Sequence, residues 1–291
     1  MALLRKIYQP LWQALGQWLD ADGLRMSAAM SFYGILSLAP LLVLLVAVLG
    51  WWLDRSYIET SLIEQIRSVI GAQGAQVAQQ ALTSAQTPSE GIAASLLAFG
   101  LLLSGATGVF AELQNAFERV WRQSHVAAPP SKWWSSVFLR LRGVACILSL
   151  GFLLLASLAA STFLRLLSSW AGNYVPVDQI FWLVNEMVSV GFCAMLFLAL
   201  MRMSSGPKPA TRYLVMGALA GALLFELGKY LMAIYLSTAA VGSAYGAAGS
   251  LVVILMWIYF SSGVLLLAAS MARAWADALQ PPAPVPEKPL A

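Results

Sequence analysis

Long stretches with few or no charged side chains alternate along this chain with shorter segments in which charges are common. A helix of about 20 apolar residues crosses the roughly 30 Å hydrocarbon core of a bilayer, and six stretches are long enough to do so. The predicted spans cover approximately residues 32–53, 92–110, 144–163, 181–201, 214–236 and 251–272. The pattern predicts an all-α integral membrane protein with six transmembrane helices, in which residues 1–275 form a single polytopic membrane domain.

The N-terminal segment has a different pattern, because its apolar side chains recur at helical spacing between polar ones. Leu4, Ile7, Leu11, Leu15 and Trp18 share one side of such a helix. This spacing predicts an amphipathic helix that lies in the membrane interface. Packing of the same face against the bundle is the alternative, and the two arrangements are compatible.

A second amphipathic pattern lies between the first two spans, in residues 54–90. Ile58, Leu62, Ile66 and Val69 mark one helix, and an Ala- and Gln-rich stretch follows it. We predict an external helical segment here. It either covers the bundle as a helical hairpin or serves to dock a partner or admit a substrate.

Composition agrees with the membrane prediction. Hydrophobic residues make up 60% of the chain and charged residues only 10%, with a mean hydropathy of +0.76, whereas soluble domains carry roughly 25% charged residues. So few charges cannot cover the surface of a water-soluble fold of this size. A disordered chain is excluded because it needs low hydrophobicity, and a disulfide scaffold is excluded because the chain has only two cysteines.

The basic residues are distributed unevenly between the two sides of the predicted bundle. Of the 17 Lys and Arg residues, Arg55, Arg67 and Arg165 fall on one side and Lys229 falls within a span, which leaves thirteen on the side of both termini. Cytoplasmic loops carry the basic excess, so both termini are predicted to be cytoplasmic. The proline-rich residues 276–291 are predicted to form a disordered cytoplasmic tail, and no nucleic-acid partner is predicted.

This topology can be tested with reporter fusions. Reporters placed after Gln123, after Ser205 and at the C-terminus are expected to be cytoplasmic, because the basic asymmetry orients the chain. Reporters at Gly74, Asn173 and Ser243 are expected to be external. Paired phosphatase and fluorescent-protein fusions measure the side directly. A periplasmic C-terminal reporter would contradict the six-span prediction.

The sequence contains no recognisable set of catalytic groups. Its only histidine, His125, has no second ligand at metal-binding spacing, and both Cys146 and Cys193 fall within predicted spans. A Walker loop, a Rossmann fingerprint and a Gly-x-Ser-x-Gly elbow are all missing from the sequence. We therefore predict no catalytic residue, no metal and no cofactor, and we expect that the protein is not an enzyme.

Three charged residues within predicted spans are the candidate functional residues. Glu226 and Lys229 stand three residues apart, on one helical face near the middle of the fifth span, and Glu186 interrupts the fourth. Each charge at the bilayer centre costs about 2.5 to 3.5 kcal/mol on insertion scales. The three residues either line an intramembrane path for a polar headgroup or a proton, or include a structural ion pair that fixes the fifth helix.

Five further residues are candidates for a helix kink or for close helix packing. Pro40 removes a backbone hydrogen bond within the first span and is predicted to kink it. Gly105 and Gly108 in the second span, and Gly217 and Gly221 in the fifth, favour close helix approach. A cavity lining or a moving hinge is the alternative for both glycine pairs.

Several segments stand in a characteristic order along the chain. They are Ser27-Ala-Ala-Met-Ser-Phe-Tyr33 with Leu38-Ala-Pro40, Gly105-Ala-Thr-Gly-Val-Phe110 with Asn115-Ala-Phe and Val120-Trp121, Leu224-Phe-Glu226 with Lys229, and Tyr245-Gly246 with Trp257-Ile-Tyr259. Their order and spacing over roughly residues 20–275 resemble the YihY/BrkB family of bacterial inner-membrane proteins.

The resemblance implies a multi-pass inner-membrane protein with six helices and cytoplasmic termini, and a contribution to serum resistance as a virulence factor. Members often carry an acidic residue near the end of the last span, where this chain reads Ala268-Ala-Ser270-Met271. Any role of that acidic residue in the family therefore cannot be assigned to this chain. The family has also borne the label ribonuclease BN, a tRNA-processing activity.

Three functions follow as hypotheses. We favour a transporter-like or flippase-like protein that moves a lipid or other amphiphile and supports envelope integrity, with membrane lipids as its partners. A non-transporting structural or scaffolding protein of the envelope is the alternative, and a ribonuclease is the least favoured. The substrate, the energy source and the oligomeric state are not predicted.

Overall fold

The computed structural model describes residues 2–49, 55–70, 72–86, 108–121, 177–204, 208–238 and 249–279. Within these ranges the chain forms eight helices and no strand, so the predicted all-α class is confirmed for them. In chain order the helices are α1 (Ala2–Asp20), α2 (Gly23–Leu49), α3 (Arg55–Ile70), α4 (Ala72–Gln86), α5 (108–121), α6 (Val177–Met203), α7 (Thr211–Thr238) and α8 (Gly249–Leu279).

Three of the described helices are long and apolar enough to cross a membrane. Their apolar windows are Glu186–Met203 in α6, Thr211–Tyr235 in α7 and Leu251–Leu279 in α8, which match the fourth, fifth and sixth predicted spans. The 27-residue helix α2 contains most of the first predicted span. Residues 144–163 and most of 92–110 lie outside the described residues, so the count of six spans stays a prediction.

Helix α8 lies at the centre of the described bundle and contacts α1, α2, α4, α6 and α7. Its buried surface includes several small residues, among which Ala268, Ala269 and Ala272 are completely buried. Opposite them is Gly217 of α7, where a Cβ atom would lie 2.6 Å from the carbonyl oxygen of Ala268. Small residues permit such close approach, so α7 and α8 pack with their backbones almost in contact.

Helix α5 is fixed to α8 by two long-range hydrogen bonds. The indole Nε1 of Trp121 donates to the carbonyl of Ala269 at 3.2 Å, and Nη1 of Arg273 donates to the carbonyl of Val120 at 2.6 Å. The last carbonyls of a helix have no partner within it, so Arg273 satisfies one of them. Phe117 stacks on Trp121 at 4.9 Å between ring centroids and closes the core beside this contact.

Helix α1 packs on α8 through one face. Ala14 is completely buried in a cluster with Met271 and Ala274 of α8, whereas Trp12 is 67% exposed. Helix α1 therefore packs on the bundle through its buried face, as one of the two predicted arrangements requires. Its exposed face keeps the aromatic and apolar side chains that favour the membrane interface, and that location remains a prediction.

The segment between α2 and α5 contains the predicted amphipathic helix and a second helix built from the Ala- and Gln-rich stretch. These helices, α3 and α4, pack on each other through Ile58, Ala78 and Leu82, with Leu38 of α2 against the same cluster. Helix α4 also contacts α8. The pair therefore forms a helical hairpin that covers part of the bundle, as one of the two alternatives expected.

The last helix extends further than the sequence pattern predicts. Helix α8 continues to Leu279, so the predicted boundary of a disordered tail at residue 276 is too early. The reason is tertiary: Asp277 accepts a hydrogen bond from Nε2 of Gln17 in α1 at 3.1 Å and pairs with Arg273 at 3.5 Å. Residues 280–291 lie outside the described residues.

Candidate functional site

Six polar or titratable side chains face one another where α6 and α7 pack together. Glu186, Ser189 and Cys193 are spaced by three and four residues, which places them on one face of α6. Glu226, Lys229 and Tyr230 share a face of α7 by the same rule. We call these six residues the α6–α7 polar cluster. It lies within the apolar windows of both helices.

The carboxylate of Glu226 is the buried centre of this cluster. Its side chain is 8% exposed, and it accepts a hydrogen bond from the Oγ atom of Ser189 at 2.6 Å on one oxygen and pairs with the ammonium of Lys229 on the other. Both carboxylate oxygens therefore have partners, which offsets the cost of burying the charge. Ser189 ties this ion pair of α7 to α6.

Lys229 is the more accessible member of the pair, because its side chain is 26% exposed. Long basic side chains bury their methylene stems and keep the charged group at a wetter boundary. The ammonium therefore connects the buried carboxylate to the outer edge of the α6–α7 contact.

A second hydrogen bond joins the two helices one turn away. The hydroxyl of Tyr230 donates to Oε1 of Glu186 at 3.3 Å. Together with the bond from Ser189 to Glu226, it forms two successive rungs between antiparallel helices, since 186 pairs with 230 and 189 pairs with 226. Glu186 is thus linked to the pair of Glu226 and Lys229 through Tyr230, which follows Lys229 directly in the sequence.

An aromatic cluster separates the polar residues from α8. Phe225 precedes Glu226 and contacts Phe197 of α6 at 6.1 Å and both Trp257 and Phe260 of α8 at 6.3 and 6.0 Å between ring centroids. These contacts have the geometry of favourable aromatic pairs. The polar cluster is therefore bounded by apolar rings on the side toward α8, and its most exposed member is Tyr230, which is 52% exposed.

The residues predicted to kink a helix or to allow close packing do not belong to the α6–α7 polar cluster. Pro40 lies within α2, which is helical on both sides of it, and Gly105 lies outside the described residues. Gly108 begins α5 against the ring of Tyr33. Gly217 and Gly221 lie on the contact of α7 with α8, where a Cβ atom at either position would overlap α8.

Sequence reasoning missed three members of the cluster: Cys193, which was interpreted only as a residue within an apolar span, and Ser189 and Tyr230. Ser189 follows Glu186 by three residues, and Tyr230 stands four residues after Glu226, so same-face spacing was the available signal. Neither residue carries a formal charge, and both residue types are common within apolar helices. Only the rotation of α6 against α7 shows that they bond across the contact.

The outer face of α7 is apolar and exposed. The exposed side chains along it include Leu219, Leu223, Leu227, Leu231 and Ile234, of which Leu231 and Ile234 are each 61% exposed. A continuous apolar surface of this length is unusual on a soluble monomer and suits contact with lipid. The fold and the polar cluster together define the class of helical membrane proteins with titratable groups inside apolar helices.

Comparison with known sequences gives the family. Residues 14–289 match the family described as Virulence factor BrkB, which is most of the chain, so the protein belongs to that family. The resemblance found in the sequence motifs is thereby confirmed.

Relatives with assigned names share moderate identity with the chain. It is 31% identical over 174 residues to the UPF0761 membrane protein IL2447 of Idiomarina loihiensis, an alignment that covers 58% of this chain and 57% of that one. It is 24% identical over 254 residues to YfkH of Bacillus subtilis, a protein named as ribonuclease-like, with 84% and 87% covered. A UPF0761 membrane protein of Psychrobacter is 25% identical over 87% of this chain and 46% of its own length.

These alignments differ in how much of the relative they include. The chain spans about half the length of the Idiomarina and Psychrobacter proteins and most of YfkH. No solved structure matches the chain. The Idiomarina and Psychrobacter relatives are membrane proteins by name, in agreement with the three apolar helices of the described bundle.

Proposed function

We propose that this protein moves a lipid or other amphiphile across the bacterial inner membrane in a transporter-like or flippase-like manner, and so supports envelope integrity. The observation that carries the proposal is the α6–α7 polar cluster, a buried carboxylate with an ammonium at its outer edge inside apolar helices. Ionisable residues within membrane segments typically mark substrate or ion pathways.

The geometry suggests how a polar headgroup would be accommodated. Of the two charged residues of the pair, a headgroup phosphate would meet Lys229 first, because Glu226 is the more buried. Lys229 would exchange part of its pairing with Glu226 for the phosphate, while Ser189 continues to hold the carboxylate. Glu186 and Tyr230, one turn away, would supply the next polar contact.

A structural or scaffolding function is the second candidate, and a specific observation favours it. One oxygen of Glu226 accepts a hydrogen bond from Ser189 and the other pairs with Lys229, and the two rungs hold α6 to α7. A buried network of this kind can fix helix packing without any transport role. A variant that preserves packing and alters the polar groups separates the two candidates.

The name of the Bacillus relative raises ribonuclease as a third function. Metal-dependent cleavage needs clustered ligands, and no group of three or more His, Cys, Asp or Glu side chains suited to a metal ion occurs within the described ranges. The polar cluster lies between apolar helices, where an RNA strand has no polar route. We therefore propose neither a nucleic-acid partner nor an enzymatic activity.

Leaflet exchange tests the proposal directly. Liposomes that contain the purified protein and a fluorescent phospholipid are expected to exchange the label faster than protein-free liposomes when outer-leaflet fluorescence is quenched chemically. Tyr230→Phe is expected to slow exchange about fivefold, the factor for about 1 kcal/mol of lost hydrogen bonding, because it removes the hydroxyl bound to Glu186.

Tyr259→Phe is the matched control, since it makes the same change at an exposed tyrosine of α8. It is expected to exchange lipid like the parent protein. Exchange no faster than in protein-free liposomes would reject transport of the labelled lipid, and equal slowing by both variants would remove the cluster from the path.

A further inference from the structure

A second polar site lies at the end of the bundle that the basic-residue count assigns to the cytoplasm. A pocket of about 760 Å³ opens between the first turns of α2 and the outer face of α5. Small-molecule sites have volumes of this order. Its lining residues are Arg25, Met26, Ala29, Glu112, Asn115, Glu118 and Arg119. The site shares no residue with the α6–α7 polar cluster.

The turn between α1 and α2 holds two guanidinium groups together at this pocket. Asp22 has a left-handed backbone, with φ of 59°, a conformation that Asp adopts more readily than most residues. One oxygen of its carboxylate contacts Arg25 at 2.5 Å and Arg119 at 3.3 Å. The same carboxylate therefore positions cations from α2 and α5 side by side.

The turn itself is closely packed, which limits how far Asp22 moves. The amide of Met26 donates to the carbonyl of Asp22 at 3.0 Å, so Asp22 is the residue that caps the start of α2. A Cβ atom at Gly23 would overlap the indole of Trp18. Asp22, which pairs with both arginines, is thus part of the packed junction between α1 and α2.

The charges around the pocket suit a ligand that carries both signs. Each guanidinium has five N–H donors, and one carboxylate oxygen occupies only part of this capacity, so donors remain for a phosphate. Arginine recognises phosphate well because its donors form a planar fork. Glu112 and Glu118, which like Arg119 belong to α5, place two carboxylates in the same pocket. Glu118 already interacts with another residue, so an ammonium group would neutralise Glu112.

The pocket continues into an apolar surface along α2. Arg25, Ala29, Phe32 and Leu36 follow at intervals of four, three and four residues and therefore share one helical face. Phe32 and Leu36 are 58% and 52% exposed, and both lie within the first predicted span. A molecule with its polar end among the arginines would lay an apolar tail along this face, which favours an amphiphile over a soluble phosphoester.

We propose that this pocket binds the headgroup of a zwitterionic phospholipid, with its phosphodiester at Arg25 and Arg119 and its ammonium at Glu112. The apolar face of α2 then receives the acyl chains. This inference deepens the proposed function, on which it rests for its physiological meaning, because the pocket would load the lipid that the protein moves. Binding itself requires no transport and is measured separately.

Native mass spectrometry of the detergent-purified chain tests the site. The protein is titrated with dioleoyl phosphatidylethanolamine and, separately, with the phosphatidylglycerol of the same chains. The parent is expected to retain the ethanolamine lipid severalfold better. Arg119→Gln is expected to weaken retention of both lipids about tenfold, and Glu112→Gln is expected to abolish the preference between them.

Arg67→Gln is the control, because it removes an exposed arginine of the α3–α4 hairpin that also pairs with a carboxylate. It is expected to bind both lipids like the parent. Equal retention of the two lipids by the parent, or the same affinities in Arg119→Gln and Arg67→Gln, would overturn the proposal. If Arg119→Gln does not purify as a folded protein, Arg25→Gln takes its place with the same expectation.

Two further measurements assign the ligand source and the link to transport. Glycerophosphoethanolamine, the soluble headgroup, is expected not to displace the lipid, and displacement at the concentration of the lipid would overturn the assignment to a membrane ligand. Selective retention without leaflet exchange in liposomes would reject the proposed transport and support the binding site. Lost retention in Arg119→Gln with unchanged exchange would overturn the loading role and leave transport intact.

Discussion

Replacing Gly217 with leucine is expected to lower the abundance of the folded protein in the membrane about tenfold or more. A Cβ atom at this position would lie 2.6 Å from the carbonyl oxygen of Ala268 and 2.7 Å from the Cβ atom of Ala272. The obstacle is backbone, which does not rotate aside as a side chain does. Overpacking of a well-packed core costs about 1–3 kcal/mol and sometimes more, and here α7 must separate from the central helix.

Gly191 provides the matched control for this experiment. It also lies in a predicted span, on α6, but no atom of a neighbouring residue comes within 4 Å of a Cβ atom built there. Gly191→Leu is expected to change stability by less than about 0.5 kcal/mol. Quantitative blotting of membranes and the melting temperature in detergent measure both variants, and equal behaviour of the two would contradict the close contact of α7 with α8.

The second large effect is expected at Lys229, because Lys229→Met leaves the buried carboxylate of Glu226 without its cation. Removing one partner of a buried ion pair costs about 3–5 kcal/mol. Folded protein is therefore expected to fall sharply in Lys229→Met and less in Glu226→Gln, which keeps an acceptor for the hydroxyl of Ser189. The double variant is expected to recover abundance, since it buries no charge.

Measurements of leaflet exchange and envelope resistance in these variants separate the transport hypothesis from the structural one. If the pair lines a path, the double variant accumulates like the parent and still loses leaflet exchange and resistance of the envelope to detergent or serum. Recovery of both abundance and protection would identify a structural ion pair instead. Parent-like behaviour of both singles and the double would show that the pair has no role.

The exposed pair of Glu64 and Arg67 is the control for burial. It has the same spacing of three residues, at 3.5 Å, but both side chains are more than half exposed. Exposed ion pairs contribute about 0–1 kcal/mol, so Arg67→Met is expected to leave abundance nearly unchanged. A loss as large as that of Lys229→Met would show that burial is not the cause.

The sequence alone determined the class of the protein, its family and the helices α6, α7 and α8. These features depend on local properties, because a long uncharged stretch has few alternatives to an apolar helix in lipid. The amphipathic pattern of α1 and the helical segment before α5 were predictable for the same reason. The spacing of Glu226 and Lys229 likewise placed both on one face before any contact was known.

Only the tertiary structure decided which helices meet and which polar groups bond. Ser189 and Glu226 are 37 residues apart in the chain, and their contact depends on how far each helix is rotated about its axis, which hydropathy does not specify. The ion pair of Asp22 with Arg119 joins residues that are 97 positions apart. The continuation of α8 to Leu279 follows from its contact with α1. Local pattern determines where helices form, whereas their pairing depends on packing between segments that are distant in sequence.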